Sequence, residues 1–320
     1  MRYVFYGSLV YVALVAFLAR KKLHELHPRR FFLETWAEVD KRAREARELR
    51  AAKGVYRADG TPEVLPPYDW RPIIAYVTLA VVLTLQEYFG DRGTFFKLRD
   101  VGWVIDVGTH HFHLTKPLTW LASEKWGELY ALGYWVVTRG GGYTILPILT
   151  ILIWRERIRD YGLSLKGFLD HAWIYALFFG IVLVAVVLVS QTRDFVNYYP
   201  FYSQANRSWR DFLYWELMYA TQFFCLEFFF RGYLLFSSEK SLGSGVVMAM
   251  VVPYCMIHFG KPVLETFAAI LAGTVLGTLS LKTRSVWSGF LIHVTVAVSM
   301  DLAALVQTRG LPGGFMIHGW

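Results

Sequence analysis

Long apolar blocks, separated by short polar stretches, dominate this chain, and they are too continuous to be the stripes of amphipathic helices. A helix that crosses a hydrocarbon core of ~30 Å needs about 20 such residues. Eight spans are predicted, at 3–19, 72–90, 127–154, 172–191, 212–236, 244–259, 264–281 and 286–306. The sixth is short. The third is too long, and Arg139-Gly140-Gly141-Gly142 interrupts it, which predicts either a broken helix or a half-helix followed by the true span. The predicted fold class is all-α, a polytopic membrane helix bundle of about eight transmembrane helices. Tyr3 to Ala19 has the length of a signal peptide, but Arg20-Lys21-Lys22 follows it with no small-residue cleavage site in front, so a retained first helix is expected.

The stretch 20–70 has a different pattern. Phe32, Trp36, Val39, Ala43 and Ala46 recur at helical spacing, with Lys41, Arg42, Arg44, Glu45, Arg47 and Glu48 between them. Gly54 marks a helix stop, and Asp59-Gly60 and Pro66-Pro67 mark turns before the second span. Such a helix either lies on a lipid or partner surface or packs on its own membrane domain, and the second reading is preferred. The chain divides into a first transmembrane helix (1–19), this amphipathic segment (20–70), additional membrane helices (71–154), a core at 155–306 and a tail at 307–320.

Composition agrees with burial in lipid. Hydrophobic residues make up 55% of the chain and charged residues only 18%, against about 25% charged in soluble domains. The net charge of +8 is explained by positive cytoplasmic loops, since it is not focused on a separable domain, and nucleic-acid binding is not expected. If 20–71 and the loops at 155–166, 237–243 and 282–285 share one side, that side holds 20 of the 33 Lys and Arg. It should be cytoplasmic, with both termini outside, in a multi-pass protein of the plasma (inner) membrane. Cys225 and Cys255 sit in apolar segments and read as small buried hydrophobes; two cysteines make no disulfide framework or metal motif.

Ionisable side chains inside a membrane are costly, so each is a functional candidate. They concentrate in the second half: Glu216, Glu227 and Arg231 in the fifth span, His258 ending the sixth, Glu265 opening the seventh, His293 and Asp301 in the eighth. Glu227 and Arg231 are four residues apart, on one helix face with Cβ atoms ~5–6 Å apart. Arg231 could keep Glu227 ionised, and a partly dehydrated carboxylate can act as a general base on water; equally, the pair could serve helix packing alone. Counted inward at ~1.5 Å per residue, Glu227 and His293 lie roughly 10–15 Å deep and His258 deeper. Two histidines with a Glu–Arg pair suit water activation and oxyanion stabilisation, and Glu227, His258 and His293 equally suit a two-His, one-carboxylate site for a divalent metal such as zinc. No His-Glu-x-x-His, Gly-x-Ser-Gly or Gly-x-Gly-Asp motif offers another protease chemistry. Glu216 shares a face with Glu227 and is expected near the outer interface, Asp301 is a weak functional substitute at the His293 helix, and Lys261 and Glu265 are expected to pair. His110, His111 and His113 form an imidazole cluster beside Trp103, Trp120 and Trp126, read as interfacial anchors before a metal site.

These motifs resemble the CPBP family of CAAX proteases and bacteriocin-processing enzymes, which carries Glu-Glu-x-x-x-Arg, Phe-x-x-x-His and His-x-x-x-Asn on separate membrane helices. Here the counterparts are Leu226-Glu227-x-x-x-Arg231, Tyr254-x-x-x-His258 and His293-x-x-x-Ala297. Arg159-Asp160-Tyr161-Gly162-Leu163, His258-Phe259-Gly260-Lys261-Pro262 with Glu265, and the Gly273/Gly277 pair also look like the family's pattern, so the resemblance covers about 155–305. It implies a glutamate-type intramembrane endopeptidase acting on membrane-associated protein or peptide substrates. Glu227, His258, His293 and Arg231 would be its catalytic residues, with no cofactor required. Within that resemblance Leu226 replaces the first glutamate, usually credited as the base, and Ala297 replaces the asparagine of the oxyanion hole. Loss of one oxyanion donor costs ~100- to 1000-fold in rate, so the alternative is a catalytically inactive binding or immunity protein.

Overall fold

The computed structural model describes residues 2–52, 69–107, 109–114, 116 and 118–316. The turns expected at Gly54, Asp59-Gly60 and Pro66-Pro67 lie outside the described residues. Every predicted span is helical. The elements run α1 (Arg2–Leu18), α2 (Thr35–Ala52), α3 (Arg71–Phe89), α4 (Arg92–Asp100), β1 (Trp103–Val107), β2 (His110–Leu114), α5 (Gly127–Ile153), α6 (Lys166–Asp170) and α7 (Ala172–Val189). They continue with α8 (Arg193–Tyr198), α9 (Trp209–Glu227), a π-helical stretch (Phe228–Leu234), α10 (Leu235–Leu242), α11 (Gly245–Met256), α12 (Val263–Thr283) and α13 (Trp287–Thr308).

Five of these helices, α3, α5, α7, α12 and α13, are long and apolar enough to cross a membrane. α1 and α11 are apolar but shorter, and α9 carries several charged residues, so the count of eight spans is not established. The bundle wears its apolar surface outward. Leu14, Val77, Ile145, Leu217, Phe267 and Leu271 are all more than half exposed. In water this would be a large unpartnered patch; against lipid tails it is the required exterior. The chain is an integral, multi-pass membrane protein.

The third span is not broken. α5 runs unbroken through Arg139-Gly140-Gly141-Gly142, and two of the glycines serve close packing. A Cβ at Gly142 would press on Gln86 Nε2 at 3.1 Å and Val82 Cγ1 at 3.2 Å of α3, and one at Gly140 would meet Cys225 Sγ of α9 at 3.4 Å. The Arg139 carbonyl accepts from Gln86 Nε2 at 3.1 Å across this contact.

The fifth span is longer than predicted. α9, the π stretch and α10 form one continuous helical path over 209–242, on the order of 50 Å at ~1.5 Å per residue. Ser208 caps its start, its Oγ accepting from Asp211 N at 3.1 Å. α2 packs on α10 and α12, the preferred one of its two sequence readings. Val39 and Ala43 are buried, Trp36 Nε1 donates to Thr278 Oγ1 at 3.0 Å, and Asp40 accepts from the Ser244 N–H at 2.7 Å.

Candidate active site

α13 is fixed at its entry by the segment before α6. Val286 N donates to Gly162 O at 2.8 Å, and Gly162 adopts φ +86° where a side chain would collide with Val286 Cγ1 at 2.7 Å. Beside it, burial and the Glu156 carboxylate that accepts its proton push the Tyr161 hydroxyl above the ordinary phenol range. α13 then packs on α7 and α9, which brings His293 to Glu227.

Glu227 ends α9, and Arg231 lies one turn on, inside the π stretch; both are fully buried. Such π turns insert a residue and re-aim side chains, often at functional positions. Arg231 Nη1 donates to Glu227 Oε1. His293 Nδ1 approaches the same oxygen at 2.6 Å, but off the line of a hydrogen bond, since that nitrogen is otherwise unpartnered; the contact is electrostatic in character. The other oxygen, Oε2, lies against Gly289, one turn before His293, where any Cβ would overlap it. The carboxylate is thus gripped from three sides.

Tyr254 of α11 joins the remaining residues. Its ring is buried, pressed against Gly273 of α12, where a Cβ would lie 3.1 Å from Tyr254 Cδ1; Gly273 and Gly277 thereby give the close α11–α12 packing that the motif suggested. The Arg231 guanidinium sits 4.0 Å above the ring. The Tyr254 hydroxyl lies 2.8 Å from His293 Nε2, and His293 stacks on Phe223 at 5.1 Å between centroids. The Tyr254 carbonyl accepts from His258 Nδ1 at 2.8 Å, with the two rings 4.8 Å apart. A carbonyl only accepts, so His258 carries its proton on Nδ1, and Nε2 presents a lone pair that has no partner among the described residues.

All four predicted site residues therefore gather around one tyrosine, Glu227 and His293 in direct contact and His258 through Tyr254. Tyr254 and Gly289 were missed by the sequence reading. Tyr254 stood in the quoted motif as a substitute for phenylalanine, and its hydroxyl was the available signal; Gly289, one turn before His293, gave none. Leu226 and Ala297 are both buried in apolar clusters.

Of the atoms in the metal alternative, Glu227 Oε1 already accepts from Arg231 and His293 Nε2 already faces the Tyr254 hydroxyl. Among the described residues no group of three His, Cys, Asp or Glu is arranged to hold a metal. The hairpin puts His111 and His113 on one face of β2, and His110 on the other.

The other candidates lie elsewhere. Asp301 is fully buried and accepts from Trp215 Nε1 at 2.9 Å and Phe201 N at 3.1 Å, with the Glu216 carboxyl, itself buried, beside it. Lys261 and Glu265 pair at 2.7 Å as expected. Cys225 and Cys255 are free and half-buried.

A polytopic helix bundle with a buried Glu–Arg pair and two histidines from neighbouring helices defines a class of membrane protein. A family model described as "Rce1-like: Type II CAAX prenyl endopeptidase Rce1-like" matches residues 208–299. That stretch holds Glu227, Arg231, Tyr254, His258, Gly289 and His293, and it agrees with the CPBP/CAAX protease resemblance of the motifs. The family is one of proteases, which supports a protease here. No curated protein and no solved structure matches the chain.

Proposed function

We propose that this protein is an intramembrane endopeptidase that hydrolyses peptide bonds of membrane-associated protein or peptide substrates, with water activated at the Glu227, His258 and His293 group. The convergence of these residues and Arg231 on Tyr254, inside the stretch that matches the endopeptidase family, carries the reading. The contacts described above support the following division of roles. His258 Nε2 takes a proton from water as the water oxygen attacks the scissile carbonyl carbon, and returns it to the leaving amine when the C–N bond breaks. Arg231 Nε and Nη2, buried without partners among the described residues, supply charge and donors toward the developing oxyanion. Glu227 holds Arg231 and His293 in place, and its Oε2, unpartnered among the described residues, offers an acceptor to the same water. The protein would lie in the plasma (inner) membrane with 20–70 on the cytoplasmic side, and the family description makes a prenylated peptide ending in a CAAX-type sequence the first substrate to try.

A second reading has its own support. Leu226 and Ala297 put apolar side chains where the resembling family has a carboxylate and an amide, and Glu227 is sealed by Arg231, His293 and Gly289. This favours a non-catalytic membrane binding or immunity protein. The test compares native-host membrane and secreted proteins in wild type, Glu227→Gln and His258→Ala strains, reading new protein ends by mass spectrometry. Ends that vanish in His258→Ala at normal protein abundance support the endopeptidase and name its substrate. Identical ends in all three strains give the binding-protein reading.

A further inference from the structure

Tyr254 is more than a packing residue in this arrangement. Its hydroxyl and its carbonyl each engage a different histidine, at 2.8 Å in both cases, and its ring is 1% exposed. A tyrosine kept for volume alone would need no hydroxyl here, and phenylalanine would fill the same space against Gly273 and under Arg231.

The proton positions follow from what each neighbour can do. Glu227 Oε1 accepts from Arg231 and lies 2.6 Å from His293 Nδ1; off the hydrogen-bond line as that contact is, a lone pair on the nitrogen would face the carboxylate charge at that distance, so Nδ1 carries hydrogen. In a neutral ring Nε2 then has the lone pair, and the tyrosine O–H is its donor. The opposite assignment would make Nε2 the donor, and the phenolic hydrogen would need another acceptor. The charged group over the tyrosine ring is Arg231, which has none to give. Both His293 nitrogens therefore face groups of the network, while His258, fixed by the backbone carbonyl, leaves Nε2 without a partner among the described residues.

We propose that Tyr254 is a positioning residue that sets the proton arrangement of both histidines, holding His293 as the Nδ1–H tautomer through its hydroxyl and His258 as the Nδ1–H tautomer through its carbonyl. As a role in catalysis this rests on the endopeptidase reading; as a statement about proton positions it does not. The test is ¹⁵N magic-angle-spinning NMR of the full chain in lipid, with labelled histidine and His258→Ala and His293→Gln spectra for assignment. In wild type both rings should show a protonated Nδ1 and an unprotonated Nε2. In Tyr254→Phe the His293 Nε2 resonance should move to the position of an unbonded lone pair, while His258 keeps its pattern because its acceptor is backbone. A protonated Nε2 on His293 in wild type overturns the proposal, and so does a Tyr254→Phe spectrum identical to wild type. Cleavage of a farnesylated CAAX-type peptide reports separately on function. There Tyr254→Phe should lower kcat about tenfold, the scale of one hydrogen bond, with KM unchanged. If the spectra behave as expected and no peptide is cut, the endopeptidase reading falls while the proton assignment stands. If the spectra do not change and the peptide is cut, the reverse holds.

Discussion

Gly289→Ala is the smallest change that reaches the centre of the site. The added methyl would overlap Glu227 Oε2 and stand 2.8 Å from Cδ and 3.4 Å from Oε1. The carboxylate has no room to withdraw, because Arg231 and His293 hold Oε1 on its far side. α13 cannot back away cheaply either, since it is packed on α7 and α9. The alanine must therefore push Glu227 out of its ion pair, and separating a buried pair costs about 3–5 kcal/mol. The expected readout is a fall in thermal unfolding temperature on the order of 10 °C for the full chain in lipid nanodiscs. The same substitution should behave differently once the carboxylate is gone. In a Glu227→Ala background the methyl meets an emptied space, and Gly→Ala within a helix is worth up to ~1 kcal/mol in favour of folding. Gly289→Ala should then be neutral or stabilising, a reversal of sign that only a direct clash with Glu227 explains. Equal destabilisation in both backgrounds, or no shift in either, refutes the reasoning.

Two further outcomes are expected. Asp40→Ala removes the acceptor for Ser244 N and for Ser244 Oγ at 3.1 Å; stability should fall by about 1 kcal/mol, and α2 should become cleavable by added protease at lower denaturant than in wild type. Because Arg231 already balances the charge of the Glu227 carboxylate, purified protein should hold no stoichiometric zinc by elemental analysis, and EDTA should leave any peptide cleavage unchanged; a loss restored by zinc would contradict this.

What the sequence made legible was what periodicity and spacing govern. Apolar runs of span length become helices because the backbone must satisfy its hydrogen bonds internally wherever lipid surrounds it. The Glu227–Arg231 spacing and the order of the histidines likewise survive folding. The misreading at Arg139-Gly140-Gly141-Gly142 has a physical origin. Glycine weakens an isolated helix, but in a bundle its missing side chain allows α3 and α9 to approach, and the packing recovers what propensity loses. The hairpin at β1 and β2 left no clear signal, because its strands are only five residues each and β2 is mostly histidine. The approach of Glu216 to Asp301 was not legible for another reason: Asp301 lies on a helix far away in sequence, and no local pattern announces that pairing.

The two replaced positions show why the site is built as it is. With leucine at 226, the remaining glutamate does not inherit an open position, for it faces Arg231, His293 and the backbone at Gly289. A buried ion pair contributes little net stability after desolvation, but losing one partner is costly, so the group acts as a rigid post more than as a free base. Around that post Tyr254 supplies a hydroxyl where a phenylalanine would leave His293 Nε2 without a donor. Among the described residues His258 Nε2 faces no hydrogen-bond partner, and the proposed water activation starts there. Glu227→Gln and His258→Ala therefore probe different things. The first loosens the post and should affect stability together with activity, whereas the second should leave the helices in place and remove the base. A His258→Ala protein that is as stable as wild type and still cleaves its substrate would break this division of roles, and with it the view that the site works through the one histidine the network leaves open.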